Sequence, residues 1–223
     1  MFRKTLVFMI ILILGAPLMA AKDQENSYGK IDFIIGSVQV KQTAGTKVKA
    51  NLNMKVYTGD TITTGDKSSA QLVLKGDIKI RIAQNSEFEL KQDKIEKSGK
   101  KKKLFGLNFG KIWASIKNLK KDEEVSIETP TAVAGVRGTI LVVKQDDKGA
   151  VLYVGKGKVN FLSKLLGTDV DIDENFKVFI GNDGKISVST EMGPDDHKDM
   201  MGGIPVFFQK GDAGTGDDLK FDL

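Results

Sequence analysis

From Tyr28 to about Ser189 apolar residues recur at every second position, in short runs broken by glycine, asparagine and aspartate. Ile31, Phe33 and Ile35 alternate with Asp32 and Ile34 before Gly36 resets the phase ahead of Val38 and Val40. Ala70, Leu72 and Leu74 alternate with Gln71, Val73 and Lys75, Ile78, Ile80 and Ile82 with Lys79 and Arg81, and Phe88 and Leu90 with Glu87 and Glu89. Successive side chains of a strand point to opposite faces, so this spacing lines one face with hydrocarbon, whereas a helix would scatter the same residues around its axis. The alternation continues through Ile112–Ile116, Val125–Ile127, Leu141–Val143, Val151–Tyr153, Val159–Phe161, Val170–Ile172 and Phe176–Phe179. Roughly a dozen short strands at near ten-residue spacings predict an all-β fold, a sandwich or a solenoid-like roll. Alternation alone leaves parallel and antiparallel pairing both open.

The links support short turns. Lys75-Gly76-Asp77, Asp146-Asp147-Lys148-Gly149 and Asn182-Asp183-Gly184 carry the residues that tolerate positive φ. Lys97-Ser98-Gly99-Lys100-Lys101-Lys102-Lys103 reads as a basic loop too charged to pack.

Composition narrows the function. The 223 residues include no cysteine, one histidine and one tryptophan. That excludes disulfides, thiolate-bound metals, cysteine nucleophiles and a lipobox, as well as the multi-histidine metal sites. No phosphate-binding loop, nucleophile elbow or zinc motif is present in a usable context, so no catalytic residue, cofactor or metal is expected. Asp169, Asp171 and Asp173 open like a calcium loop, but Glu174 stands where glycine is needed and Ile180 where the bidentate glutamate belongs. They read as the acidic face of an edge strand. Asp195-Asp196-His197-Lys198-Asp199 is the one place where imidazole meets carboxylates, in a stretch with no expected scaffold. Only Arg81 and Arg137 follow the N-terminal segment, so the lysine cluster lacks the arginine forks and aromatic platforms of a nucleic-acid site.

The ends differ from the middle. Arg3 and Lys4 precede an apolar run, Leu6–Leu14, and small residues ending at Ala20 and Ala21, as in a secretory signal peptide over 1–20. The run is too short to span a bilayer, which takes about 20 apolar residues, so the mature chain is expected to have no transmembrane span and to reside in the periplasm, with the cell surface as the alternative. Net charge divides into +2 over 1–20, +8 over 21–190 and −5 over 191–223. The chain thus divides into signal peptide (1–20), β domain (28–190) and a flexible, acidic, glycine-rich tail (191–223), in which only Ile204-Pro205-Val206-Phe207-Phe208 is apolar enough to dock.

Within the β region one segment stands apart, Thr129-Pro130-Thr131-Ala132-Val133-Ala134-Gly135-Val136-Arg137-Gly138-Thr139 and the apolar strand after it. Pro130 ends the preceding strand because it has no N–H to donate. Gly135 and Gly138 allow tight or left-handed backbone on either side of Arg137. An arginine so held is expected to lock a β corner through its five donors; the alternative is a recognition arginine.

This segment, TPTAVAGVRGTILVV, resembles the signature of the FecR domain family, named for the ferric-citrate regulator. Gly59-Asp60-Thr61-Ile62-Thr63-Thr64-Gly65, continuing to Leu74, is similar to the family's upstream strand pair, and the resemblance runs from about Val56 to Phe161. It implies an exported, all-β, non-enzymatic domain, as in iron-uptake signal transducers and stand-alone envelope modules. In the transducers a cytoplasmic sigma-factor-binding segment precedes one span; here five residues precede the apolar run, so that segment is expected to be missing. Thr129, Pro130, Gly135, Val136, Arg137, Gly138 and Thr139 are the expected structural or interaction residues, and the partner a protein or cell-envelope component. A surface adhesin, suggested by the lysine-studded faces, and an accessory sensor for iron uptake remain the other readings.

Overall fold

The computed structural model describes residues 27–95 and 99–201. Among them are eighteen strands, namely β1 (Gly29–Ile35), β2 (Val38–Lys41), β3 (Lys47–Lys49), β4 (Lys55–Val56), β5 (Thr61–Thr64), β6 (Ser69–Leu74), β7 (Ile78–Ile82), β8 (Glu87–Leu90), β9 (Lys94–Ile95), β10 (Lys101–Ile116), β11 (Glu123–Glu128), β12 (Ala132–Val136), β13 (Ile140–Gln145), β14 (Gly149–Lys156), β15 (Val159–Ser163), β16 (Asp169–Ile172), β17 (Phe176–Gly181) and β18 (Thr190–Glu191), followed by one helix, α1 (Pro194–Met201). They form one connected sheet that curls into two layers. Every strand pair is antiparallel except β10–β11.

Strand β10 joins the layers. Its first part pairs with β8 and β9 on one edge and β11 on the other; from Gly110 onward it pairs with β7 and β13. The first layer therefore contains β4, β1, β6, β7, β10, β13, β14, β17 and β18, and the second β3, β2, β5, β8, β9, β10, β11, β12, β15 and β16. Drawn straight, sixteen residues would extend about 50 Å at roughly 3.3 Å each. Yet Lys101 lies beside Glu123, and the link 117–122 can reach only about 25 Å. The strand must curl over the core. The curl falls where the register slips between Leu107 and Phe109 and where Gly110 takes φ +94°. A Cβ there would sit 2.1 Å from Ser86 Oγ, and that oxygen accepts the Lys111 N–H at 3.0 Å.

Between the layers the inward side chains meet in one core. Phe88, Phe105 and Phe161 of the second layer and Ile31, Leu72, Ile80 and Ile112 of the first are fully buried, each contributing about 1.5–3 kcal/mol of transfer free energy. Gly76 and Asp77, both at positive φ, close the β6–β7 hairpin as their residue types predict.

Two expectations need correction. Lys101–Lys103 are not loop but the start of β10, because Glu123 and Glu124 on the parallel neighbour supply opposite charge, with Lys102 Nζ 3.3 Å from Glu124 Oε1 and Lys103 Nζ 3.8 Å from Glu123 Oε2. Nor does order stop at residue 190. Thr190 and Glu191 pair with β17, and Met192, just before α1, and Met200, within it, pack against Trp113, Val142 and Tyr153 on the outer face of the first layer. Pro194 opens that helix and the Asp196 carboxylate accepts the Gly193 N–H, local start signals that an average over a glycine- and aspartate-rich stretch conceals. His197 accordingly sits on a helix. The signal-peptide reading of 1–20, Lys97 and Ser98 of the basic loop, and Ile204–Phe208 lie outside the described residues.

Candidate interaction site

The motif begins as a hairpin tip. Thr129 is buried, its Oγ1 accepts the Ala132 N–H at 3.0 Å, its own N–H donates to the Ala132 carbonyl at 2.8 Å, and its carbonyl accepts from Lys164 Nζ at 2.9 Å. Pro130, exposed at the tip, has no N–H to leave unpaired. Along β12, Ala132, Ala134 and Val136 then enter the core, which turns Val133, Gly135 and Arg137 outward by the period-two rule. Gly138, at φ +66°, redirects the chain, and buried Thr139 accepts the Ile116 N–H through its carbonyl at 3.0 Å.

The motif is therefore two-sided, and the expected corner lock is corrected. Arg137 is exposed and has no hydrogen-bond or ion-pair partner among the described residues. The corner is held instead by Gly138 and the backbone of Thr139, while Val136 occupies the inward place. Gly135 likewise does not serve a left-handed turn. It lies in mid-strand, and a Cβ added to it would meet Glu124 Oε1 at 3.7 Å and Asn160 at 3.8–3.9 Å, ordinary contact distances. What this glycine removes is bulk from an otherwise filled outer face.

The result is an open groove of about 470 Å³ on the outside of the second layer. Its floor is Val133 and Gly135 of β12 and Arg137 just past that strand's end; one wall is Glu124 and Ser126 of β11, the other Lys158, Asn160 and Leu162 beside and within β15. Register aligns these in rows. Ser126 stands opposite Gly135, Gly135 opposite Asn160, and Asn160 opposite Asp171 of β16; one row further on, Val133 stands opposite Leu162. With neighbouring strands about 4.8 Å apart, the trough between β11 and β15 is roughly 10 Å wide.

The flanking charges are satisfied within the protein. Lys102 pairs with Glu124 at 3.3 Å, and Lys158 with Asp171 at 3.6 Å and Asp173 at 3.3 Å. The Asn160 amide donates to Asp169 at 2.6 Å and Asp171 at 2.9 Å. That hydrogen bond, working against burial and helped by the Lys158 charge, holds the Asp171 carboxyl below the usual carboxylate range. The aspartate series at 169–173 is thus the acidic edge that its alternation with Val170 and Ile172 predicts, tied to Asn160 and Lys158. Ser126 is different. It is fully buried in the groove lining, and its Oγ has no hydrogen-bond partner, a condition that typically costs about 1–3 kcal/mol.

The upstream motif is structural by contrast. Buried Asp60 accepts the Tyr57 N–H at 2.8 Å, and burial pushes its carboxyl up despite that hydrogen bond. Thr64 Oγ1 donates to the Ala83 carbonyl at 2.6 Å and accepts the Ser86 N–H at 3.0 Å, pinning β5 to the link before β8.

Residues 60–160 match the family described as FecR protein. Over this stretch, just under half of the chain, the sequence matches a FecR domain. The match lies inside the Val56–Phe161 stretch of resemblance, and the groove is built mostly from residues within it. The fold around this matched stretch is similar to a crystal structure described as a candidate anti-sigma factor from Parabacteroides distasonis, with a TM-score of 0.53 and 14% identity over 67% of this chain and 65% of that one. A second crystal structure of the same description and organism aligns at TM-score 0.49 and 16% identity, over 59% of each chain. At such identities the likeness is one of fold, and this chain spans about two-thirds of the first structure's length. No curated protein matches the sequence. Of the groove, only Gly135, Val136 and Arg137 were among the expected site residues. Ser126, Lys158, Asn160 and Asp171 were missed because cross-strand register, which brings them together, leaves no mark on local periodicity.

Proposed function

We propose that the protein is an exported, non-enzymatic interaction module whose FecR domain engages a periplasmic or envelope protein through the groove around Arg137. The single observation that carries this reading is an exposed guanidinium, unpartnered among the described residues, at one end of a trough that a mid-strand glycine keeps open. Arginine without an internal partner is a residue type enriched at binding hot spots, and its fork suits carboxylate recognition. The basic, apolar and small-residue sections of residues 1–21 support export. No helix among the described residues is long and apolar enough to cross a membrane.

A photo-crosslinking amino acid at Asn160, on the groove wall, tests the proposal in intact cells, with the same probe at Lys79 on the first layer as the reference. The reading expects a discrete protein adduct from position 160 and none from 79. Adducts from neither position, or equal adducts from both, would overturn it. Fractionation and protease accessibility of the same cells check the compartment: recovery in the cytoplasmic fraction contradicts export, and digestion on unbroken cells moves the site to the surface.

A further inference from the structure

Resting on that reading, we infer that the groove takes an extended peptide segment of the partner, with an acidic side chain at Arg137 and an apolar side chain four residues away, against Val133 and Leu162. The charge pattern selects the anion. Lys102 and Lys158 already face Glu124 and Asp171, so one guanidinium is left to be neutralised. A single planar carboxylate matches that fork. A phosphate dianion would instead meet two lysines already paired and two neighbouring carboxylates.

The shape selects an extended chain. A trough roughly 10 Å wide, running along β12, has room for one strand-like segment. From Arg137 to Val133 is four residues, about 13 Å at roughly 3.3 Å each, which is the separation of side chains i and i+4 in an extended ligand. Even spacing puts both on the same side, facing the floor. Halfway along, Gly135 offers a notch beneath the backbone or a small side chain of the middle residue. Beside the notch lies a carboxylate oxygen, Glu124 Oε1, 3.7 Å from where a Gly135 Cβ would be, which can accept a peptide N–H. The amides of β12 itself are committed to β11 and β15, so recognition runs through side chains and not through strand addition.

The test is a titration of the ¹⁵N-labelled chain, followed by amide chemical shifts, with the pentapeptide Ac-Glu-Thr-Ser-Thr-Leu-NH₂. Three comparison peptides accompany it: one with Gln for Glu, one with the Leu moved to the fourth position, and one with Ser for Leu. The proposal expects perturbations centred on Ser126, Gly135 and Asn160, with binding about tenfold weaker for the Gln peptide and for the shifted Leu. Arg137→Ala should lose the preference for Glu over Gln. Gly135→Val fills the notch with a good strand former and should abolish the shifts while the melting temperature is kept. Absence of shifts with the Glu peptide, equal binding of Glu and Gln forms, indifference to Leu position, or the same perturbations from inorganic phosphate would each overturn the inference. If those peptides fail while Arg137→Ala still abolishes the cellular adduct at position 160, the interaction face stands and only the peptide assignment falls.

Discussion

Arg137 and Gly110 show how differently two positions in the same sheet respond to change. An exposed side chain without internal partners contributes little to folding, so Arg137→Ala should leave the melting temperature within about 2 °C, as surface substitutions stay within about 0.5 kcal/mol. Differential scanning calorimetry reads this directly. Gly110 combines φ +94° with Ser86 packed 2.1–2.6 Å from any added Cβ, and Gly110→Ala should cost about 3 kcal/mol and roughly 10 °C in the same experiment. The motif around Arg137 was visible in the sequence as an arginine between glycines, but its role was not. Two nearby glycines suggested a turn at each, whereas one of them is a strand residue with room for a side chain. Parity counted from Val136 as a core residue would have placed Arg137 outside.

Among the elements, α1 offers a pH-dependent contact that the protein's one tryptophan can report. Its Asp196 makes a salt bridge with Lys177 of β17, and that hydrogen bond, against the opposing effect of burial, holds the Asp196 carboxyl below its ordinary range. A lowered carboxylate contributes stability that is fully present above its unfolded value, near 4, and is lost as the pH falls through the lower folded one. Fluorescence of Trp113, which packs with Met200, should therefore hold steady from pH 7 to 5 and change below about 4. In Lys177→Met that acid-dependent change should be absent or much reduced. Legibility divides along the same line. Strands such as β6, β7 and β15 could be read because one face is hydrocarbon and the other polar. The first half of β10 hid behind four consecutive lysines, whose neutralising glutamates lie about twenty residues away in sequence and beside them only in the sheet. Short elements such as β3, β4 and α1 hold too few residues to establish a period.

At the scale of the whole molecule the two outer faces have different uses. The first layer carries α1, with Met200 of the helix and Met192 before it against Trp113, Val142 and Tyr153, and there Arg81, 5.0 Å from the Trp113 ring centre, also hydrogen-bonds Gln71. The second layer leaves an arginine exposed above an open trough. The +8 of residues 21–190 therefore does not act as a uniform field, because the lysines nearest the groove face carboxylates of the same sheet. Partner capture should in consequence depend on one guanidinium and vary little with modest added salt, which screens diffuse surface charge first. The most direct measurement is capture of the crosslinked envelope partner by wild type and by Arg137→Ala, at equal amounts of folded protein with melting temperatures recorded in parallel. The account predicts equal melting and at least a tenfold loss of adduct in the variant; a variant that captures as well as wild type, or loses capture only in step with lost stability, would contradict it.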